Sequence, residues 1–447
     1  MRRLRLPVLG VLLLALCPAV AAAQTDRPAP PIDVIKVEGA LDGPLVGFLE
    51  ERLDRAVEDG AMVVLQLDTS GTLDQDGVAL AREVAELPVP VLTWTGPVPA
   101  RVSGAGLLLM YASALAGVAP GSQTGPLDPL DLLHPEASPP DLDASIDGWL
   151  AIHGREVDRS LEDRALTAQQ AVDGGFAEVA ATSVLDFLEE VHGLEVQTAE
   201  GTVVLDTQIV SDQEVQSGDV SAIRFNELGP VKRLQHAVAT PTMVYVLVVL
   251  GLACLAFELT QPGFGFAGFA GIALLGLGLY GMLIAPPSWL GLMILLGAVG
   301  LYVADVLLRR FGVLTVLGTL AFAAGSVLLY RGVAPPIRIS PWLIVGMTIA
   351  SLLYYGFGLT VAIQSRDRIL STQRGLIGLV GEARGRLAPD GPVYVKGALW
   401  RGRSVGDPID QGSSIRVRGV EGLILQVEAE PGPPGGIGDH QPVSLSD

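Results

Sequence analysis

The feature that most constrains this chain is the stretch from Thr242 to Ile363, where apolar residues crowd together and only Glu258, Asp305, Arg309, Arg310, Arg331 and Arg338 carry charge. A soluble core has nowhere to hide so long an apolar run, whereas a bilayer requires helical segments of roughly 20 apolar residues whose backbone groups bond one another. Breaks at Gln261-Pro262-Gly263, Ala285-Pro286-Pro287-Ser288, Arg309-Arg310 and Ala334-Pro335-Pro336 cut the run into about five spans. These are expected near Met243–Phe257, Phe264–Ile284, Trp289–Leu308, Phe311–Tyr330 and Pro341–Ile363. The expected organisation is therefore a first domain over residues 33–200, a connector over 201–240, a membrane domain over 241–363, a small domain over 371–430 and a disordered tail over 431–447.

The charge balance agrees with that division. The chain is 49% hydrophobic yet has a net charge of −19, so its acidic residues lie outside the membrane block. Acidic surface repels a phosphate backbone, which excludes nucleic-acid binding as a function. Cys17 and Cys254 are the two cysteines, one in a segment expected to be removed and one in a span, which leaves no disulfide pair and no cysteine metal site. No cofactor motif is present. At the start, Arg2, Arg3 and Arg5 precede an apolar run from Leu6 to Val20 and then Ala21-Ala22-Ala23, the pattern of a signal peptide over residues 1–23. The first domain is then exported; an uncleaved anchor is the alternative.

From Val34 onward strands and helices alternate. Val34–Val37, Met62–Leu67, Val89–Trp94 and Ala116–Ala119 read as strands, while Pro44–Glu58, Gln75–Leu87 and Gly104–Ala114 read as helices. Such alternation predicts an α/β domain with a largely parallel sheet. The stretch Gly125–Pro140 has no period and reads as a loop. Further helices are expected at Ser145–His153, Glu156–Arg164, Thr167–Asp173, with Thr167 as N-cap, and Val184–His192. A β-hairpin over Val196–Val210 and a polar connector over Arg224–His236, solvated or lying on the membrane surface, lead to the first span.

Several stretches together carry a resemblance. Asp68-Thr69-Ser70-Gly71 follows an apolar strand, and Pro99 through Gly106 comes next as Pro-Ala-Arg-Val-Ser-Gly-Ala-Gly. Val118-Ala119-Pro120-Gly121-Ser122 and His153-Gly154-Arg155 follow, and then Ala165 through Ala171 as Ala-Leu-Thr-Ala-Gln-Gln-Ala. In this order, with Phe257-Glu258-Leu259, Phe311 through Thr315, Gly378-Leu379-Val380-Gly381 and Trp400 through Ser404 farther on, the chain resembles the NfeD family. Those are membrane-bound relatives of the ClpP-type serine proteases. The resemblance implies a ClpP/crotonase-like exported domain and an OB-type barrel at the C-terminus. It further implies stomatin- or flotillin-like membrane partners, peptide segments as ligands, self-association into homo-oligomers, and a plasma (inner) membrane location.

The family's chemistry is a serine nucleophile at a helix start, a lysine held neutral as base, and backbone amides of a Gly-Gly turn as oxyanion donors. Carried over residue by residue, the nucleophile position falls on Gly104, and the only nearby hydroxyl, Ser103, is displaced by one residue. The oxyanion turn falls on Gly71 and Thr72. Between Lys36 and Lys232 the sequence has no lysine. His134 and His153 remain as substitute bases for Ser103, whose alternative role is N-cap of the helix from Gly104. Two readings follow: a degenerate protease acting as scaffold, or an active membrane-bound serine endopeptidase with a displaced nucleophile that cleaves membrane-proximal hydrophobic peptides.

Within the membrane block, Glu258 and Asp305 stand near span ends, where a carboxylate either serves an ion path or caps a neighbouring turn. Five spans from an exported start put the C-terminus in the cytoplasm with Arg309, Arg310, Arg366, Arg368 and Arg374. In the tail, Leu376–Val380, Ala383–Leu387, Val393–Val395, Ser413–Val417 and Leu423–Val427 read as strands of a small barrel. Tyr394 and Trp400 are its only aromatics, too few for a base-stacking surface, which favours an adaptor with Trp400 in the core.

Overall fold

A computed structural model describes residues 30–207, 222–258, 265–308, 312–358 and 375–430. The expected signal peptide, the end of the hairpin, Gln261-Pro262-Gly263, the arginines expected in the cytoplasm and the tail lie outside the described residues. The chain divides into two compact units. The first comprises residues up to Leu252 with Gly271–Ile294 and Ala324–Ile344, and the second Ala253–Ala270, Leu295–Ala323 and Val345 onward.

The first unit begins with β1 (Ile32–Glu38), α1 (Gly43–Asp59) and β2 (Met62–Asp68). The start of α1 is set by Asp42, whose side chain accepts the Leu45 N–H at 3.0 Å, with Pro44 in the first turn where no amide donor is needed. Gly60 ends the helix at φ 63°, a conformation that suits glycine. Next come α2 (Gly77–Glu86), β3 (Val91–Thr95), β4 (Arg101–Val102), α3 (Ala105–Tyr111), β5 (Leu115–Val118) and β6 (Gln123–Thr124). The domain continues through α4 (Leu142–His153), β7 (Leu166–Thr167), α5 (Ala168–Asp173), β8 (Val179–Ala180) and α6 (Val184–Glu190). A hairpin, β9 (Glu195–Thr198) with β10 (Gly201–Val204), and then β11 (Ile223–Asn226) and α7 (Pro230–Val238) complete it.

The main sheet runs β11-β1-β2-β3-β5-β8 with all pairings parallel. Its inner strands β2, β3 and β5 are buried on both faces, which is why they read as apolar runs. The period of two still sorts them: Ile35, Val37, Val63 and Leu65 face one hydrophobic core, and Ile32, Val34, Met62 and Val64 face the other. A second, three-stranded sheet orders β4-β6-β7. The expected Thr167 cap is present as a full capping box with Gln170.

Two expectations are corrected. Glu156–Arg164 is not a helix beyond a single 3₁₀ turn at Arg159–Leu161, because its backbone is engaged elsewhere: the Asp158 N–H donates to Gly174 O at 2.8 Å, holding this segment against the Gly174-Gly175 turn. The supposed connector is part of the fold, since β11 adds to β1 as the outermost described strand of the main sheet. Arg224 on β11 binds both oxygens of buried Asp33, at 2.7 and 2.6 Å, and also Asp59 at 2.7 Å.

Five apolar helices follow: α8 (Pro241–Glu258), α9 (Phe266–Ile284), α10 (Trp289–Leu308), α11 (Val313–Leu329) and α12 (Pro341–Leu353). Among the described residues, four helical stretches, the last extending over Pro335–Phe357, are long and apolar enough to cross a membrane; α11, of 17 residues, is shorter. In the second unit, Glu258 accepts the N–H groups of Gly265 and Gly268 before and in the first turn of α9. Asp305 likewise accepts from Gly312 N, Leu314 N and Thr315 Oγ1 at 3.1, 3.2 and 2.7 Å. Each carboxylate thus caps the helix that follows its own, the second of the two roles open from sequence.

The C-terminal domain is a closed barrel of β12 (Val380–Ala383), β13 (Asp390–Val395), β14 (Ala398–Ser404), β15 (Ser414–Glu421) and β16 (Ile424–Ala429), in the order β12-β13-β14-β16-β15. The strand β14, absent from the expected set, runs parallel to β16 and closes the barrel. Of the segment Ala383–Leu387, expected as one strand, Ala383 ends β12, the chain then turns, and Leu387 forms a single bridge to Ile409. Trp400 packs partly buried against the barrel core.

Candidate functional site

The four residues singled out from sequence converge. After β2 the chain enters Thr69-Ser70-Gly71-Thr72, and after β4 it enters α3 through Ser103-Gly104. The Ser103 N–H donates to Thr69 O at 3.0 Å, and its hydroxyl donates to Ser70 O at 3.4 Å. Ser103 is therefore not the helix cap: Gly104 occupies that place, with no side chain to cap it. Among the described residues, neither a histidine nor a lysine bonds the Ser103 hydroxyl.

Gly104 sits at φ +55°, and a Cβ there would lie 2.4 Å from Pro129 O, 2.8 Å from Ser70 O and 3.2 Å from Gly71 Cα. The position is thus closed to a side chain by backbone on two sides, in a conformation that itself favours glycine. Gly71, at φ +143°, is similarly walled by Leu130 O at 2.9 Å and the Leu132 side chain. Gly106 lets α3 approach Thr69 and Val102, since a Cβ would meet Thr69 Cγ2 at 2.6 Å.

Of the turn that would supply the oxyanion donors, the Thr72 amide is occupied from within, as is the amide of Gly104 at the nucleophile position. Thr72 N–H donates to Leu130 O at 2.8 Å, and Gly104 N–H to Pro126 O at 2.9 Å. The Pro- and Leu-rich stretch read as a plain loop supplies both acceptors, and Leu132 N–H returns to Thr72 O at 2.9 Å. Thr72 forms parallel bridges with Leu41 on one side and Asp131 on the other. Beside it lies a cavity of about 330 Å³ bounded by Thr72, Gly77, Leu130, Asp131 and Pro139.

Neither His134 nor His153 bonds Ser103. His134 is exposed and pairs with Asp131 at 2.8 Å. His153 is buried, its ring nitrogens 2.8 Å from Gln197 O and 2.9 Å from Ala112 O; burial pushes its pKa below the usual value against the opposing pull of those carbonyls. Arg155 from the Gly154-Arg155 pair is equally structural: it binds Glu178 at 2.7 Å and the carbonyls of Met110, Ser113 and Phe176. These bonds tie the end of α3 to the start of the next layer.

Residues 242–360 match the NfeD integral membrane domain, and residues 373–428 match the NfeD-like C-terminal, partner-binding domain. The chain is 24% identical over 422 residues to the membrane-bound protease PH1510 of Pyrococcus horikoshii, covering 87% of this chain and 92% of that one. It is 23% identical over 439 residues to the membrane protein NfeD1b of Bacillus subtilis, covering 95% and 98%. Among solved structures, the 1510-N membrane protease of Pyrococcus horikoshii, described as specific for a stomatin homolog, aligns with 46% of this chain and 97% of its own at 18% identity and a TM-score of 0.38. Behind the α/β domain, the chain thus carries both NfeD domains, the integral membrane domain and the C-terminal one.

Proposed function

We propose that the α/β domain holds extended polypeptide without cutting it, and that the chain acts as a membrane scaffold whose barrel docks a stomatin- or flotillin-like partner. The observation that carries this reading is the closure of position 104: the nucleophile's place holds a glycine hemmed in by Pro129 O and Ser70 O. Among the described residues no lysine or histidine bonds Ser103 to serve as base, and a dyad without nucleophile and base retains only a small remnant of its acceleration. The partner assignment rests on the barrel's match to a partner-binding domain together with the family resemblance. The α/β domain is exported, the barrel is cytoplasmic, and the protein self-associates in the plasma membrane. Fluorophosphonate labelling of membranes containing the whole chain tests the reading. No labelling of Ser103 is expected; labelling that disappears in Ser103→Ala identifies a serine hydrolase and overturns it.

A further inference from the structure

The stretch Gly125–Leu133 has no helix or strand of its own, yet it is bonded along its length to the candidate site. Gly125 N–H donates to Val102 O at 2.7 Å, and Pro126 O accepts from Gly104 N–H. Leu127 N–H then donates to Glu162 O at 2.8 Å, Leu130 O accepts from Thr72 N–H, and Leu132 N–H donates to Thr72 O. Leu127, Leu130 and Leu132 are buried, while Asp128 faces solvent. An extended peptide added to the Leu41–Thr72 ladder would use these same backbone groups, so the stretch stands where such a ligand would lie.

Its far end is held by another part of the same unit. Ala334 N–H, in the connection between α11 and α12, donates to Leu132 O at 2.8 Å. Ala334 and Leu132 are both buried in one small apolar cluster with Ala40 and Leu73, and Leu133 and Ile337 pack against it. This cluster adjoins Thr72, the residue the stretch pairs with. A segment that draws its bonds from its surroundings opens locally when one end is freed, because little of its own structure resists.

We propose that Gly125–Leu133 is a built-in strap over the peptide groove, latched by the α11–α12 connection, so that movement of those membrane helices exposes the groove to an extended apolar polypeptide. The groove's ligand class rests on the function proposed above; the latch does not. Ala334 has φ −58°, which proline accepts, so Ala334→Pro removes the donor to Leu132 O with little backbone strain. Ile337→Ser is a second way to loosen the cluster.

The test compares hydrogen exchange of the whole chain in nanodiscs with exchange of each variant. Peptides reporting Thr72, Gly104 and Leu132 should exchange on the order of five- to tenfold faster in both variants, while Leu65 and Thr93 in the central strands stay protected as a folding control. A synthetic peptide of sequence 125–133 bearing photoleucine at the place of Leu130 should label residues 71–73 or 103–106 several-fold more in the variants. Unchanged exchange in both variants overturns the latch and leaves the peptide-holding reading standing. Faster exchange without labelling upholds the latch and overturns that reading.

Discussion

At position 104 a positive φ and two backbone carbonyls leave no room for a Cβ, so restoring the family's nucleophile there costs folding before it returns chemistry. Gly104→Ser should destabilise the α/β domain by roughly 2–4 kcal/mol, combining overpacking with an unfavourable φ, and should gain no hydrolysis; differential scanning fluorimetry with a fluorophosphonate assay checks both. A variant that stays as stable and reacts would mean the carbonyls yield. Gly106→Leu forces a side chain onto Thr69 and should lower stability by at least about 1–3 kcal/mol, read as a fall in melting temperature. What the sequence shows directly is a glycine at position 104 and no lysine between Lys36 and Lys232, and the proposed loss of nucleophile and base rests on these. What was not legible is the strap: Thr72 and Leu130 lie 58 residues apart, and their bond joins backbone groups in a stretch without periodicity. Ser103 was expected as a helix cap for a local reason, and a longer-range acceptor, Ser70 O, took its hydroxyl instead.

Among the elements, the parallel strands and their helices were readable from apolar runs and spacing, whereas β11 was hidden. Its sequence, Ile-Arg-Phe-Asn, alternates but is short, and its place beside β1 depends on Arg224 meeting Asp33 across 191 residues. Among the described residues, Arg224→Ala leaves the buried Asp33 carboxylate with the Asn226 side chain alone and should cost about 1–3 kcal/mol, discounted for the half-exposed arginine; chemical denaturation of the whole chain measures it. Helix α7 is fastened by His236, whose ring bonds Asp42 at 2.8 Å and Glu38 O at 3.0 Å. Burial pulls the His236 pKa down, but the Asp42 hydrogen bond and charge outweigh it and hold the pKa above its ordinary value. The folded state therefore favours the protonated ring, so this contribution is full below about pH 6.5 and is lost as pH rises through the raised value. Exchange of α7 amides, corrected for intrinsic rates, should accelerate between pH 6 and pH 9, and His236→Gln should abolish that dependence. A pH-independent α7 in the unmodified protein would show that the ring carries no proton there.

For the molecule as a whole, the division into an α/β domain, a helical membrane region and a barrel was the most legible level, since hydropathy changes abruptly at both borders. The two membrane carboxylates illustrate what hydropathy leaves open: Glu258 and Asp305 prove to be caps, which required knowing which helix start lies beside each. The proposed orientation rests on the expected export signal and on an odd number of spans, which counts the shorter α11 as a fifth. A reporter fused after Arg368 should be active only as a cytoplasmic fusion, and activity restricted to the exported side would refute the orientation. The central claim, that the α/β domain of this chain holds extended polypeptide without cutting it, is tested most directly by incubating the full chain in nanodiscs with unfolded apolar peptides and following them by mass spectrometry. The account predicts intact peptides at every time point, identical for the unmodified chain and Ser103→Ala; cleavage by the unmodified chain that vanishes in Ser103→Ala would contradict it.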